Sequence, residues 1–369
     1  MRPTLFARGR RLKALLVPAI CLALMPATTL TARADTTPPS PPGWALARIS
    51  QTAPLAPGQT SFSYSPTSHG AGVNAYVIDA GIDYNAPDLG GRAGLAFDVD
   101  GGDGQTCPAG TTVDEPAHGD EVADILGGTQ FGVADQVNLW SVKAFHCNQN
   151  PTDSLAVNNG LIQAINWLAA NHKPNAVAVI ARNDNGAGYF YSPLYDPYNT
   201  IGLTNAVNNL AASGVFVAVS AGNISGSGAQ CVFTVCVYPQ KYAVDNVPAN
   251  AGQAMVVMAS DRNDHAALDT ANNLCGPGQW STALGGDIYA PGVDVPSAYG
   301  WECGTSDATP LVAGVAALYK ATYGDAPSAT VKSWISSHAT QNAITNNPPE
   351  VNGNPQTASP NLLLNIGGL

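Results

Sequence analysis

The chain has 369 residues, enough for one large α/β domain or two small ones, with 15 basic against 26 acidic residues and a formal net charge of −11. A surface of that sign repels phosphate backbones, which excludes nucleic acid as a natural partner. The seven cysteines show no CxxC or paired Cys/His spacing, which argues against a zinc-type cluster.

At the start, Arg2, Arg8, Arg10, Arg11 and Lys13 precede the apolar run 14–25, and Ala32-Arg33-Ala34 supplies small residues for cleavage. Residues 1–34 read as a secretory signal peptide, too short to persist as a spanning helix. Its removal takes six of the 15 basic residues and no acidic one, leaving nine against 26, a net of about −17. That charge suits a soluble protein exported to the periplasm or the exterior. The cysteines that remain are Cys107, Cys147, Cys231, Cys236, Cys275 and Cys303. An even number in an exported chain suggests disulfides. Cys107–Cys147 is the favoured local pair, and the other four stay open. Residues 35–43 read as a Pro/Ser/Thr-rich tether, and 44–369 as one domain without internal repeats.

Within that domain, residues 73–83 (Val-Asn-Ala-Tyr-Val-Ile-Asp-Ala-Gly-Ile-Asp) read as a buried parallel strand. Its carboxyl end presents Asp79, where open α/β sheets place catalytic residues, although an aspartate at a strand end is equally a turn former. The loop 98–104 offers Asp98, Asp100 and Asp103, either as a solvated acidic loop or as oxygen ligands for calcium without the EF-hand spacing. His118-Gly119 then opens a helix carrying Asp120, Glu121 and Asp124. These carboxylates either favour the charged imidazole of His118 and raise its pKa, or face solvent and serve the helix dipole.

A strand over 137–145 follows, then a helix from Asp153 to Asn171 with Val157, Leu161, Ala164, Ile165 and Leu168 on one face. The strand 176–183 ends Ala181-Arg182-Asn183, and 184–200 is rich in tyrosine, as subsites beside a cleft or as glue for a long loop. After a helix near 203–213, the strand 214–223 runs into Gly222-Asn223, by itself a good turn. Two later strands are expected at 254–261 and 287–293, and a surface helix at 327–340. The stretch 304–318, Gly-Thr-Ser-Asp-Ala-Thr-Pro-Leu-Val-Ala-Gly-Val-Ala-Ala-Leu, is a tight turn opening an almost wholly apolar helix, hence a buried one. Ser306 at its start either caps the helix or sits where orphan N–H groups favour a developing oxyanion.

That last stretch resembles the serine motif of the subtilisin-like serine peptidases, Gly-Thr-Ser-Met-Ala-Thr-Pro-His-Val-Ala-Gly, with Asp307 for Met and Leu311 for His. Val77-Ile78-Asp79-Ala80-Gly81-Ile82 resembles the family's Val-Ile-Asp-Thr-Gly-Ile. His118-Gly119 resembles the start of its His-Gly-Thr-His-Val-Ala-Gly, with departures at Asp120, Glu121 and Asp124. The run ending Ala221-Gly222-Asn223 resembles Val-Val-Ala-Ala-Gly-Asn. The motifs occur in the order Asp…His…Ser, and the similarity extends over roughly residues 44–366.

The resemblance implies an α/β fold of three layers with a mainly parallel central sheet flanked by helices. It implies a secreted serine endopeptidase acting through Asp79, His118 and Ser306, with Asn223 as oxyanion donor and Ala181, Arg182 and Asn183 pairing with the substrate backbone. A protein or peptide substrate, a monomer, no membrane contact after signal cleavage and no required cofactor go with it. Structural calcium near Asp98, Asp100 and Asp103 stays open. The roughly ten residues between signal and domain leave no room for the family's usual inhibitory prodomain. With Asp307 beside the nucleophile, this keeps open a catalytically weakened, subtilase-fold binding module. A sedolisin-like acid peptidase is disfavoured, because those enzymes carry Glu and Asp where this chain has His118 and Asn223.

Overall fold

Short runs of Val, Ile and Ala with both faces buried are what a parallel sheet covered by helices demands. The computed structural model describes residues 43–108, 111, 117–148, 154–181, 197–225, 230–232, 235–237, 248–268, 280–348 and 359–369. Contacts divide the chain into Met1–Thr36 and Thr37–Leu369. The expected signal peptide and nearly all of the tether lie outside the described residues.

The helices are α1 (Trp44–Ile49), α2 (His118–Gly127), α3 (Ser154–Asn171), α4 (Pro197–Ala212), α5 (Thr305–Tyr323) and α6 (Ser328–His338). The strands begin with β1 (Asn74–Asp79), β2 (Ala93–Asp98), β3 (Asn138–Lys143), β4 (Ala176–Ile180) and β5 (Phe216–Ser220). Next come β6 (Asn223–Ser225), β7 (Gln230–Val232), β8 (Val235–Val237), β9 (Met255–Ser260) and β10 (Trp280–Thr282). The last are β11 (Ile288–Pro291), β12 (Val295–Ser297), β13 (Gly300–Glu302), β14 (Thr340–Gln341) and β15 (Leu362–Leu363).

Among the described residues, nine strands form one sheet in the order β14-β15-β11-β9-β5-β4-β1-β3-β2, parallel throughout except for β14 against β15. Side-chain alternation sends Ala75 and Val77 of β1 into one core with α2 and α5, and Tyr76 and Ile78 into a second core with α3 and α4. The expected three layers are therefore present. The strand order reverses at β1, between β3 and β4, and Asp79 stands at its carboxyl end. Ligands bind at such switch points in open α/β sheets.

Helix α5 is buried from Thr305 through Lys320. Small residues permit that depth: a methyl on Gly314 would lie 2.5 Å from Val133 Cβ on the loop after α2. Lys320 is accommodated by donating to Gly214 O (3.0 Å) and to the Asp325 carboxylate (2.7 Å). At the other end of the chain's core, Arg48 of α1 and Asp264 form a fully buried two-point pair (2.6 and 3.1 Å). Cys107 and Cys147 are disulfide-bonded with Cα atoms 5.3 Å apart, as expected for the local pair. Cys303 is also disulfide-bonded. Among the described residues no helix is long and apolar enough to cross a membrane.

Candidate active site

Asp79 ends β1 and is fully buried; its Oδ1 accepts from the Ala80 N–H (2.7 Å) and its Oδ2 faces His118 Nδ1 at 2.8 Å. A buried carboxylate on Nδ1 places the ring proton there, which leaves Nε2 as the basic nitrogen. Two glycines permit this approach. A methyl on Gly119 would lie 2.1 Å from Gly81 O and 3.2 Å from Asp79 Cβ. Gly81 itself has φ +112° and passes so close to Gln105 that a Cβ would meet its carbonyl oxygen at 2.4 Å.

Of the three acids expected to bear on His118, two are engaged elsewhere. Asp120 is buried and accepts from the Asp83 N–H and from Thr106 Oγ1 (2.8 and 2.9 Å), tying the start of α2 to the loops on either side. Burial pushes its pKa up to about 6 despite those donors. Asp124 is buried and accepts from the Ala298 N–H (2.8 Å); burial and the neighbouring Asp88 carboxyl raise its pKa. Neither faces solvent, and both carry less negative charge near neutrality than ordinary carboxylates. The helix periodicity that groups them with His118 does not see these loop partners.

Ser306 lies in the first turn of α5, where Gly304 is the N-cap and makes no side-chain cap. The capping alternative is therefore excluded: Ser306 Oγ instead shares a hydrogen bond with Asp307 Oδ2 at 3.2 Å. The turn is braced by Gly292 of the Ala290-Pro291-Gly292 segment, whose carbonyl accepts from the Gly304 N–H at 2.9 Å. Asn223 follows β5. Its Oδ1 accepts from the Thr305 N–H and from Thr305 Oγ1, both at 2.9 Å, and Thr305 Oγ1 in turn accepts from the Gly222 N–H (3.1 Å). With its oxygen so held, the Asn223 amide nitrogen faces the opposite way: a methyl on Gly304 would stand 3.1 Å from Nδ2 and 2.5 Å from Ser306 Oγ.

Asp307 is the residue whose placement sequence reasoning missed. It is buried, bonds the serine, and its pKa is pushed up to about 8 by burial, against the lowering effect of the nearby His118. Asp307 thus carries little negative charge beside Ser306 below that pH. An acid following the serine at the start of a wholly apolar helix was the available signal, since such a side chain has no solvent to face.

Ala181 sits buried just past β4, and its carbonyl accepts from Ser220 Oγ (3.1 Å). Arg182, Asn183 and residues 184–196 of the tyrosine-rich segment lie outside the described residues, and its last four residues open α4. The acidic loop fits calcium poorly. Asp98 accepts from the Asp100 and Gly104 N–H groups (2.8 and 2.9 Å), Asp103 from the N–H and side-chain amide of Gln105 (3.1 and 2.9 Å), and Asp100 pairs with His146. These carboxylates spend their oxygens on N–H donors, the opposite of a convergent oxygen cage. No group of three or more metal-ligating side chains occurs among the described residues.

The model of the subtilase family (Peptidase_S8) matches residues 70–356. The chain belongs to the subtilase family. Among its relatives, the "Extracellular serine proteinase" of Thermus sp. (strain Rt41A) is 32% identical over 334 residues, 88% of this chain and 66% of that protein. The "Alkaline serine exoprotease A" of Vibrio alginolyticus is 30% identical over 84% of this chain and 49% of its own length. This subtilase therefore spans about half to two-thirds of the length of those relatives. A solved "cold adapted subtilisin-like serine proteinase" superposes with a TM-score of 0.63 at 25% identity, covering 88% of this chain and 98% of that one.

Proposed function

We propose that this subtilase is a secreted serine endopeptidase that hydrolyses peptide bonds through an acyl-enzyme. The observation carrying this reading is the 2.8 Å contact between Asp79 Oδ2 and His118 Nδ1 at the switch point of the sheet, on a chain whose serine motif opens the adjacent buried helix. In the reaction Ser306 Oγ attacks the scissile carbonyl while His118 Nε2 takes its proton. The C–N bond then breaks as His118 returns that proton to the leaving amine, and water releases the acyl group by the reverse sequence. Asp79 holds the tautomer and stabilises the imidazolium. The oxyanion is received by Asn223 Nδ2 and by the Ser306 N–H, which lies in a first turn where the helix supplies no partner.

The relatives' names support export, and the acidic composition and leader-like N-terminus agree with it. The substrate is a protein or peptide and the chain acts as a monomer. A fluorophosphonate probe tests this reading without knowledge of the substrate. Labelling of the folded protein that vanishes in Ser306→Ala is the expected result. A folded protein that never labels would leave the fold as a peptide-binding module instead.

A further inference from the structure

The serine-peptidase reading leaves Asp307 without a task, yet its carboxyl touches the reacting atom. Ser306 Oγ lies 3.2 Å from Asp307 Oδ2. A methyl on Gly304 would stand 2.5 Å from Ser306 Oγ and 3.1 Å from both Asn223 Nδ2 and Asp307 Oδ2. These three polar atoms thus border one small space, kept open because residue 304 carries no side chain. Two of them already have tasks there: the nucleophile, and an amide donor turned toward the developing negative charge. A third group on the same rim acts on that charge too, and its sign depends on one proton.

We propose that Asp307 is a catalytic residue of this subtilase: as a neutral carboxylic acid it donates a hydrogen bond to the oxyanion beside that of Asn223, and as a carboxylate it opposes the reaction. The proposal rests on the serine-peptidase reading above. In the neutral form the acid's O–H points to Ser306 Oγ at rest, leaving the serine proton for His118, and swings to the oxyanion as the C–Oγ bond forms. Asp307 keeps its proton throughout, while the proton from Ser306 travels by way of His118 to the leaving amine. In the ionised form the serine hydroxyl donates to the carboxylate, away from His118, and a second negative charge meets the oxyanion.

Burial holds the carboxyl neutral up to about pH 8. His118 and Glu121 on α2 and Glu302 on β13 act on it electrostatically. His118 favours ionisation and the two glutamates oppose it. Activity therefore falls as pH rises through the Asp307 titration.

The test compares second-order fluorophosphonate labelling rates of wild type, Asp307→Asn and Asp307→Leu from about pH 6 to 10, with Ser306→Ala as the blank. Changes confined to position 307 leave His118, Glu121 and Glu302 in place. Wild type is expected to lose roughly tenfold or more above about pH 8. Asp307→Asn, which carries a neutral amide donor, shows no such loss. Asp307→Leu, with no donor, labels on the order of 10²-fold more slowly than wild type near neutrality, and without the alkaline fall. Asp307→Ala, which also lacks a donor, replaces the leucine variant if that one does not fold.

An alkaline fall that persists in Asp307→Asn overturns the proposal. So does an Asp307→Leu rate equal to the wild-type plateau. Both outcomes leave the peptidase reading standing. Folded wild type that does not label at any pH removes that reading, and this inference with it.

Discussion

The side of the site proposed to receive the oxyanion is shaped by neighbours rather than by the residues proposed to do the chemistry. Thr305 takes both lone pairs of the Asn223 oxygen and so decides which way the amide nitrogen faces. Gly304 supplies clearance, and for a steric reason alone: its φ of 173° is extended backbone open to any residue. Gly304→Ala is accordingly expected to fold with a melting temperature close to wild type. Its methyl, 2.5 Å from Ser306 Oγ, displaces the proposed nucleophile and lowers kcat/KM by about 10²-fold, the usual consequence of an ångström-scale misplacement. Steady-state kinetics alongside thermal melts check this. An unchanged rate would show that the serine has room to adjust.

Elements meet at this site through glycines and through acids that bond to loops. Helix α2 is held by Asp120 to the turns at Asp83 and Thr106, and by Asp124 to Ala298; the alternation of charge along the helix looks solvated until those loops are in place. Helix α5 was legible from Gly304 to Leu318 because the run is apolar, yet it continues to Tyr323. Lys320 looks like a polar end in sequence but is buried, its charge met by Gly214 O and Asp325. Pro310 inside the helix forgoes only a bond to the Ser306 carbonyl, one turn back. Close packing of α5 on the loop at Val133 predicts that Gly314→Ala overpacks the core, because the new Cβ would meet Val133 Cβ at 2.5 Å. A loss of about 1–3 kcal/mol in chemical denaturation is expected, with labelling of the folded fraction retained. A variant as stable as wild type would mean that α5 shifts freely.

At the scale of the molecule, three buried acids among the described residues carry raised pKa values: Asp120 at about 6, Asp307 at about 8, and Asp124 raised by burial and by Asp88. In each case the folded value lies above the ordinary 3.8 of the unfolded chain, so between those limits the native state holds protons the unfolded state has released. Stability then falls with rising pH across that window. Melting temperature is expected to decline from about pH 5 to about pH 8, and Asp124→Asn is expected to shrink the decline. Calorimetric scans across this range test it; a wild-type melting temperature that climbs toward pH 8 would contradict the sign.

By itself the sequence determined the family, the β/α order, most of the sheet strands and the helices that flank them, and Asp79, His118, Asn223 and Ser306 as candidate site residues. These are written in local patterns: β-branched runs, small residues at helical spacing, and short motifs in a set order. Only the tertiary structure decided what surrounds those residues. The partners of Asp120 and Asp124 come from loops far along the chain, the orientation of the Asn223 amide comes from Thr305, and the protonation of Asp307 comes from burial. Each of these depends on distances through space and on the exclusion of water, and neither is encoded at any fixed spacing along the chain.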